Sequence, residues 1–153
     1  MHQLTETVKI LQKAALVADK QILILKRADN AKTRAGQWDL PGGNSEWPDS
    51  NETKQGLHQE DISREILEET SISTAKSMFS QPIFFDTYFD GQNQLYTVIV
   101  GWKTQLSHVP KVQLSSEHTE FVWVTRSEVE LYDFGFAGEA NGFIRQILSR
   151  SFV

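Results

Sequence analysis

The sequence predicts an α/β fold, a β-sheet covered by helices on its faces. Three observations carry this expectation. Two aliphatic, strand-sized runs open the chain, Val8 to Ala18 and Gln21 to Leu25. Helical periodicity appears once near Leu57 to Thr70 and again from Ala140 to Ser149. Between them lie further β-like runs, an interleaving that places helices over a sheet. No repeat, low-complexity tract or linker divides the 153 residues, so a single domain over residues 1–153 is expected.

The elements follow in order. Asp19-Lys20 separates the first two runs, which reads as a hairpin with a short turn. A polar stretch from Asp29 to Gly36 leads to Trp38-Asp39-Leu40-Pro41-Gly42-Gly43, where proline and paired glycines mark a tight turn with close backbone approach. The polar segment from Asn44 to Gln55, with Pro48, reads as a loop. In the helix that follows, Ile62 and Ile66 are four apart and Leu67 widens the apolar stripe. Ile83 to Phe89 and Leu95 to Trp102 flank Asp90-Gly91-Gln92-Asn93 as a second hairpin. Phe121 to Val124 reads as a strand and Ser127 to Glu130 as a short helical turn. Phe143, Ile144, Ile147 and Leu148 give the last helix its apolar face.

Composition narrows the function. The formal charge of -5 gives no basic field to attract duplex nucleic acid. A small nucleotide stays open as substrate, because a metal ion can neutralise its phosphates. The absence of cysteine excludes disulfides and thiolate zinc sites, so any metal site uses oxygen or imidazole ligands. No apolar run approaches the roughly 18 residues of a membrane span. The N-terminus lacks a basic segment followed by an apolar stretch, so a cytoplasmic enzyme is the default expectation. Oligomeric state, a homodimer included, is not legible in the chain.

The chemistry concentrates in Arg64-Glu65-Ile66-Leu67-Glu68-Glu69-Thr70. On a helix, Glu65, Glu68 and Glu69 fall at i, i+3 and i+4 and converge on one face, with Asp61 one turn earlier. Like charges at these spacings repel by about 0.2–0.5 kcal/mol each. A divalent cation relieves that repulsion, and clustered carboxylate oxygens suit Mg²⁺ or Mn²⁺. Arg64 is placed to orient a glutamate through a bidentate pair. Taken alone, such a string also occurs on solvated helix faces with no chemical role.

The upstream glycine turn changes the balance. Leu40-Pro41-Gly42-Gly43, then Glu46, then the acidic helix resembles the Nudix hydrolase family, the hydrolases of nucleoside diphosphate-linked moieties. The matching stretch runs from about Gln37 to Ile72. The resemblance implies an α/β/α sandwich with a mixed sheet. It also implies that Glu65, Glu68 and Glu69 bind Mg²⁺ (or Mn²⁺), that Arg64 holds them in place, and that the Gly42 carbonyl completes the coordination. Two departures stand out. Gly43 and Arg64 are 21 positions apart, seven more than the family's spacing, which leaves Asp49 and Glu52 both open as the loop acid. Ser71 replaces the family's glycine at the helix end, and serine tolerates a left-handed conformation less well.

Outside this box, Arg27 at a strand end resembles an arginine that contacts substrate phosphate, with a solvated cation as the plain alternative; Arg34 is a second candidate. In Ser116-Glu117-His118-Thr119-Glu120, before a tryptophan-bearing strand, the resemblance implies a further metal ligand or catalytic base. Glu117 is the choice and Glu120 the reserve, while His118 reads as a packing or surface residue. Trp38 and Phe85 are weighed as base-stacking residues, though packing explains both. The expected reaction is Mg²⁺-dependent hydrolysis of a diphosphate bond, with Arg64, Glu68 and Glu117 as the catalytic set and Glu68 or Glu117 as the base. The phrase from Gly36 to Gly43 is similar to that of nucleoside triphosphate pyrophosphohydrolases, including those that clean oxidised nucleotides. ADP-ribose, nucleotide sugars and dinucleoside polyphosphates stay open as substrates. A non-catalytic nucleotide sensor and an isomerase on the same scaffold are the readings from other classes.

Overall fold

The computed structural model describes residues 7–152; the reading of the extreme N-terminus lies outside them. Seven strands form one mixed sheet: β1 (Val8–Ala18), β2 (Gln21–Arg27), β3 (Trp38–Asp39), β4 (Gly42–Asn44), β5 (Phe84–Asp90), β6 (Leu95–Gln105) and β7 (His118–Val124). Two α-helices, α1 (Leu57–Thr70) and α2 (Phe143–Ser151), cover its faces.

The aliphatic runs explain the layering. Along β1 and β2, successive side chains point to opposite faces, and both faces are covered. Ala14, Leu16, Leu23 and Leu25 pack with Ile62 and Ile66 of α1. Ala15, Val17, Ile22 and Ile24 pack with Ile144, Ile147 and Leu148 of α2. Strands buried on both sides read as unbroken apolar stretches rather than alternating ones. Each fully buried aliphatic side chain contributes about 1.5–3 kcal/mol.

The first hairpin forms, with Asp19 (φ 48) and Lys20 (φ 61) both left-handed, as the two-residue turn that matches strand twist requires. Its strands then part. Only Val17↔Ile22 and Ala18↔Gln21 pair directly. Beyond them β1 pairs with β4, and β2 with β3. The segment from Trp38 to Asn44 therefore fills a fork between two arms of the sheet. On its other edge β1 runs parallel to β6 over ten residue pairs, the connection that makes the sheet mixed. β7 pairs along β2, and β5 closes the far edge against β6.

Several boundaries differ from the sequence expectation. The glycine turn carries two short strands, because its backbone is paired on both sides of the fork. β7 begins at His118 rather than Phe121, and α2 covers Phe143–Ser151 rather than starting at Ala140. The helical turn near Ser127 is a 3-10 helix, Arg126–Leu131, closed by a Thr125/Glu128 capping box. Leu67 does not widen the buried stripe of α1; it is 51% exposed, about 100° around the axis from Ile66. The inward face ends instead on Glu69 and Thr70. Among the described residues, no helix is long and apolar enough to cross a membrane.

Candidate active site

A cleft of about 730 Å³ opens where the fork meets the end of α1. Its size lies within the usual range for small-molecule sites. Its lining holds an acidic wall, Glu46, Glu65 and Glu69, and a basic wall, Lys9, Lys13, Arg27, Lys32 and Arg34, with Glu117 entering beside Ala28 at the start of β7.

The acidic wall is set by α1 and the glycine turn. Glu65 and Glu69, one helical turn apart, both reach the cleft. The Gly42 N–H donates to Glu69 Oε2 at 3.0 Å. Gly42 has φ 141, and a β-carbon there would lie 2.0 Å from the Gln12 carbonyl oxygen. At Gly43 the same atom would meet the Glu65 carboxyl at 2.8 Å. The turn thus requires glycine at Gly42 to pack against the β1 backbone and at Gly43 to press against the Glu65 carboxylate. Burial raises the Glu69 pKa to about 8, although Lys13 and the Gly42 N–H pull it down; Asp39 and Glu65 add to the rise. Burial also raises Glu65, opposed by Arg64 and reinforced by Glu68, Glu117 and Glu46.

The basic wall is organised by Asp39, which is fully buried. Its Oδ2 accepts from Lys13 Nζ (3.0 Å), Arg27 Nη1 (3.0 Å) and Arg34 Nη2 (2.8 Å). Burial works to raise the Asp39 pKa, but Lys13, Arg34 and Arg27 outweigh it and hold it near 2. Three cations on one carboxylate leave two positive charges facing the cleft. Arg34 is held in a left-handed conformation (φ 48), and its guanidinium lies over Phe136 and Phe143 at 5.7 and 5.4 Å. Its Nη1 is buried without a partner, a donor suited to an anion.

At the third side, the chain enters β7 through a bulge. Lys26 pairs with Glu120 and Arg27 with His118, so three residues of β7 span two of β2. Adjacent residues of β2 face opposite ways. Glu120 therefore joins Lys26, to which it is bonded at 3.0 Å, while His118 joins Arg27 on the cleft side. Burial lowers the His118 pKa to about 4. Ligand atoms of Glu69, Glu117 and His118 lie within 4.8 Å of one another. The buried Glu69 carboxylate, with the exposed Glu117 within 4.8 Å and Glu65 one turn away, fits a hard divalent cation held by Glu69 and Glu117 with Glu65 alongside.

Comparison with known proteins agrees with this geometry. The model of the NUDIX domain matches residues 13–146 of the chain. The chain belongs to the Nudix family. This Nudix hydrolase is 30% identical over 117 residues to the nucleoside triphosphatase NudI of Salmonella paratyphi B, covering 75% of this chain and 80% of the relative. Among solved structures, the MutT protein from Methanosarcina mazei Go1 is similar at 26% identity with a TM-score of 0.67, over 97% of this chain and 96% of that one. The NUDIX domain of Shewanella oneidensis NrtR, solved with ADP ribose, shares the fold alone, at 15% identity and a TM-score of 0.64 over 95% and 88% of the two chains.

The Nudix hydrolase brings most of the expected residues together. Glu65, Glu69, Glu117, Gly42 and Arg27 share the cleft, and Arg34 joins Arg27 rather than replacing it. Gly42 makes its observed contact through its N–H. Glu68 does not line the cleft: its side chain is 57% exposed and meets, at 3.5 Å, the same Arg64 nitrogen that holds Glu65, while Glu69 lies about 100° further round the helix. Arg64 lies 3.3 Å from Asp61 and Glu65, 3.5 Å from Glu68 and 3.8 Å from Glu46. Of the loop acids, Glu46 reaches the cleft while Asp49 and Glu52 do not line it. Trp38 packs edge-on against Tyr132 at 4.9 Å, and Phe85 stands on the outer strand β5; the aromatic rings at the cleft are Phe136 and Phe143. Lys13, Asp39 and His118 were not singled out as site residues. For the first two a signal existed, since a charge inside or beside a buried run needs a partner.

Proposed function

We propose that this Nudix hydrolase cleaves a diphosphate bond in a nucleoside triphosphate, releasing nucleoside monophosphate and pyrophosphate, with Mg²⁺ as cofactor. The observation that carries the reading is the two-walled cleft. A phosphate chain fits between cations that bind its oxygens and carboxylates that hold a counter-ion for it. The name of the Salmonella relative, a nucleoside triphosphatase, supports the substrate class.

A divalent cation at Glu65, Glu69 and Glu117 would supply charge neutralisation for the phosphate oxygens and acidify the attacking water. The chain's own groups do the rest. Arg27 and Arg34 bind and orient the phosphates, with Asp39 fixing both guanidinia. Arg64 keeps Glu65 in position. A Glu117 carboxylate oxygen takes the proton of the attacking water as its oxygen bonds to phosphorus and the bridging P–O bond breaks. Glu68 is the other carboxylate that the family resemblance offers as base; Glu117 is favoured because it lines the cleft.

The test is incubation with nucleoside triphosphates, oxidised nucleotides, ADP-ribose, nucleotide sugars and dinucleoside polyphosphates, with and without Mg²⁺, followed by product identification. Metal-dependent nucleoside monophosphate and pyrophosphate from a triphosphate is the expected result. Preferential cleavage of ADP-ribose would move the substrate class, and tight binding of intact ligand would make the protein a sensor. Glu69→Gln is expected to lower kcat by roughly a hundredfold or more with the fold retained; full turnover in that variant would remove Glu69 from the site.

A further inference from the structure

The bulge in β7 sets the orientation of His118. Glu117 stands in the turn before the strand, and His118, turned to the Arg27 side by the extra residue Thr119, lines the cleft with it. Bulges re-aim side chains in this way beside functional sites. His118 is 7% exposed, and its Nδ1 is buried with no hydrogen-bond partner. Buried polar atoms are seldom left unsatisfied. A ring nitrogen of His118 and carboxylate oxygens of Glu69 and Glu117 lie inside one 4.8 Å cluster, with Asp39, Lys13 and Arg27 also close enough to act on the ring. Two carboxylates and an imidazole drawn from α1, the loop before β7 and β7 itself make a mixed oxygen–nitrogen donor set.

We propose that His118 is a metal ligand, joining Glu69 and Glu117 around one divalent cation, and that its nitrogen makes this position favour Mn²⁺ over Mg²⁺. Mg²⁺ demands oxygen donors and gives up its water reluctantly, whereas imidazole binds first-row transition ions well. The inference rests on the hydrolase reading only in that the same carboxylates hold the ion. The other histidines of the described chain lie elsewhere: His58 stacks on Trp102 beneath α1, and His108 is bonded to Ser107.

The experiment uses the full chain loaded with less than one equivalent of Mn²⁺. Pulsed electron paramagnetic resonance on the wild-type protein reads nitrogen coupling directly, so it does not depend on any variant folding. The expected result is an imidazole ¹⁴N modulation that changes to ¹⁵N when histidine alone is labelled and disappears in His118→Gln. Calorimetric titration should show the preference for Mn²⁺ over Mg²⁺ falling by roughly tenfold in that variant. Bound Mn²⁺ without histidine coupling would overturn the ligand and leave the hydrolase reading standing. A folded protein that binds no Mn²⁺ at all would overturn both. Nitrogen-coupled Mn²⁺ in a protein that hydrolyses none of the nucleotides would support the ligand while ending the hydrolase reading.

Discussion

Asp39 and Arg34 divide the labour of the basic wall, and substitutions separate the two jobs. Asp39 is buried and answers three cations, so removing it strands Lys13 and the guanidinia without a counter-charge. Asp39→Ala is expected to cost about 3–5 kcal/mol, read as a lower urea midpoint. Arg34 differs, because Lys13 and Arg27 still neutralise Asp39 when it is gone. Arg34→Ala should raise KM for the nucleotide roughly tenfold while shifting stability far less. An unchanged KM would take Arg34 out of substrate binding. The sequence singled out Arg27 and Arg34 but not the carboxylate that joins them, since Lys13 and Asp39 are 26 positions apart. The glutamates were visible because a single helix sets their spacing, and the outward turn of Glu68 was not, because spacing alone does not fix where a helix faces.

At the level of elements, α1 was the most legible. Ile62 and Ile66 mark its buried face, and its bounds match the expected start near Leu57 and end at Thr70. β3 and β4 were illegible: two or three residues each, the second opening on a glycine pair after a proline, show no periodicity, and only the fork around them makes them strands. β7 was read short because Thr119 and Glu120 are polar and join the sheet through their backbone. The end of α1 shows how a departure from the family pattern is accommodated. Ser71 adopts the left-handed conformation glycine would take, φ 63, with its N–H bonded to the Leu67 carbonyl. Its hydroxyl donates to the Gln113 carbonyl at 3.1 Å. The left-handed conformation costs a non-glycine residue about 1 kcal/mol, and an exposed hydrogen bond returns less than that. Thermal melts should therefore rank Ser71→Gly above wild type and wild type above Ser71→Ala. A glycine variant less stable than wild type would show that the hydroxyl outweighs the backbone.

For the molecule as a whole, the metal-free protein has a distinctive response to pH. The Asp39 pKa is held near 2, so its stabilisation is complete above about 3.8 and lost as pH falls toward 2. His118, lowered to about 4, likewise stabilises above 6.5 and loses that contribution on the way down to 4. Glu69 acts in the opposite sense. Its pKa of about 8 means the folded state holds a proton the unfolded chain has released, so its contribution is full below 4.5 and lost as pH climbs to 8. From 4.5 to 6.5 Glu69 and His118 oppose each other, and from 6.5 to 8 the Glu69 contribution falls without that opposition. Urea titrations in chelator should show about 2 kcal/mol less stability at pH 8 than at pH 6.5, recovered on adding Mg²⁺. Equal stability at the two values would mean that Glu69 is not the desolvated acid its burial implies. The parted strands carry a further consequence for anyone choosing an inactive control. With the Pro41–Gly43 bend dislodged, β1 and β2 would each present bare amides and carbonyls, the kind of raw edge that recruits other chains. A sluggish Gly42 variant would then report clumping rather than chemistry, and a carboxylate on the helix is the cleaner place to silence the enzyme.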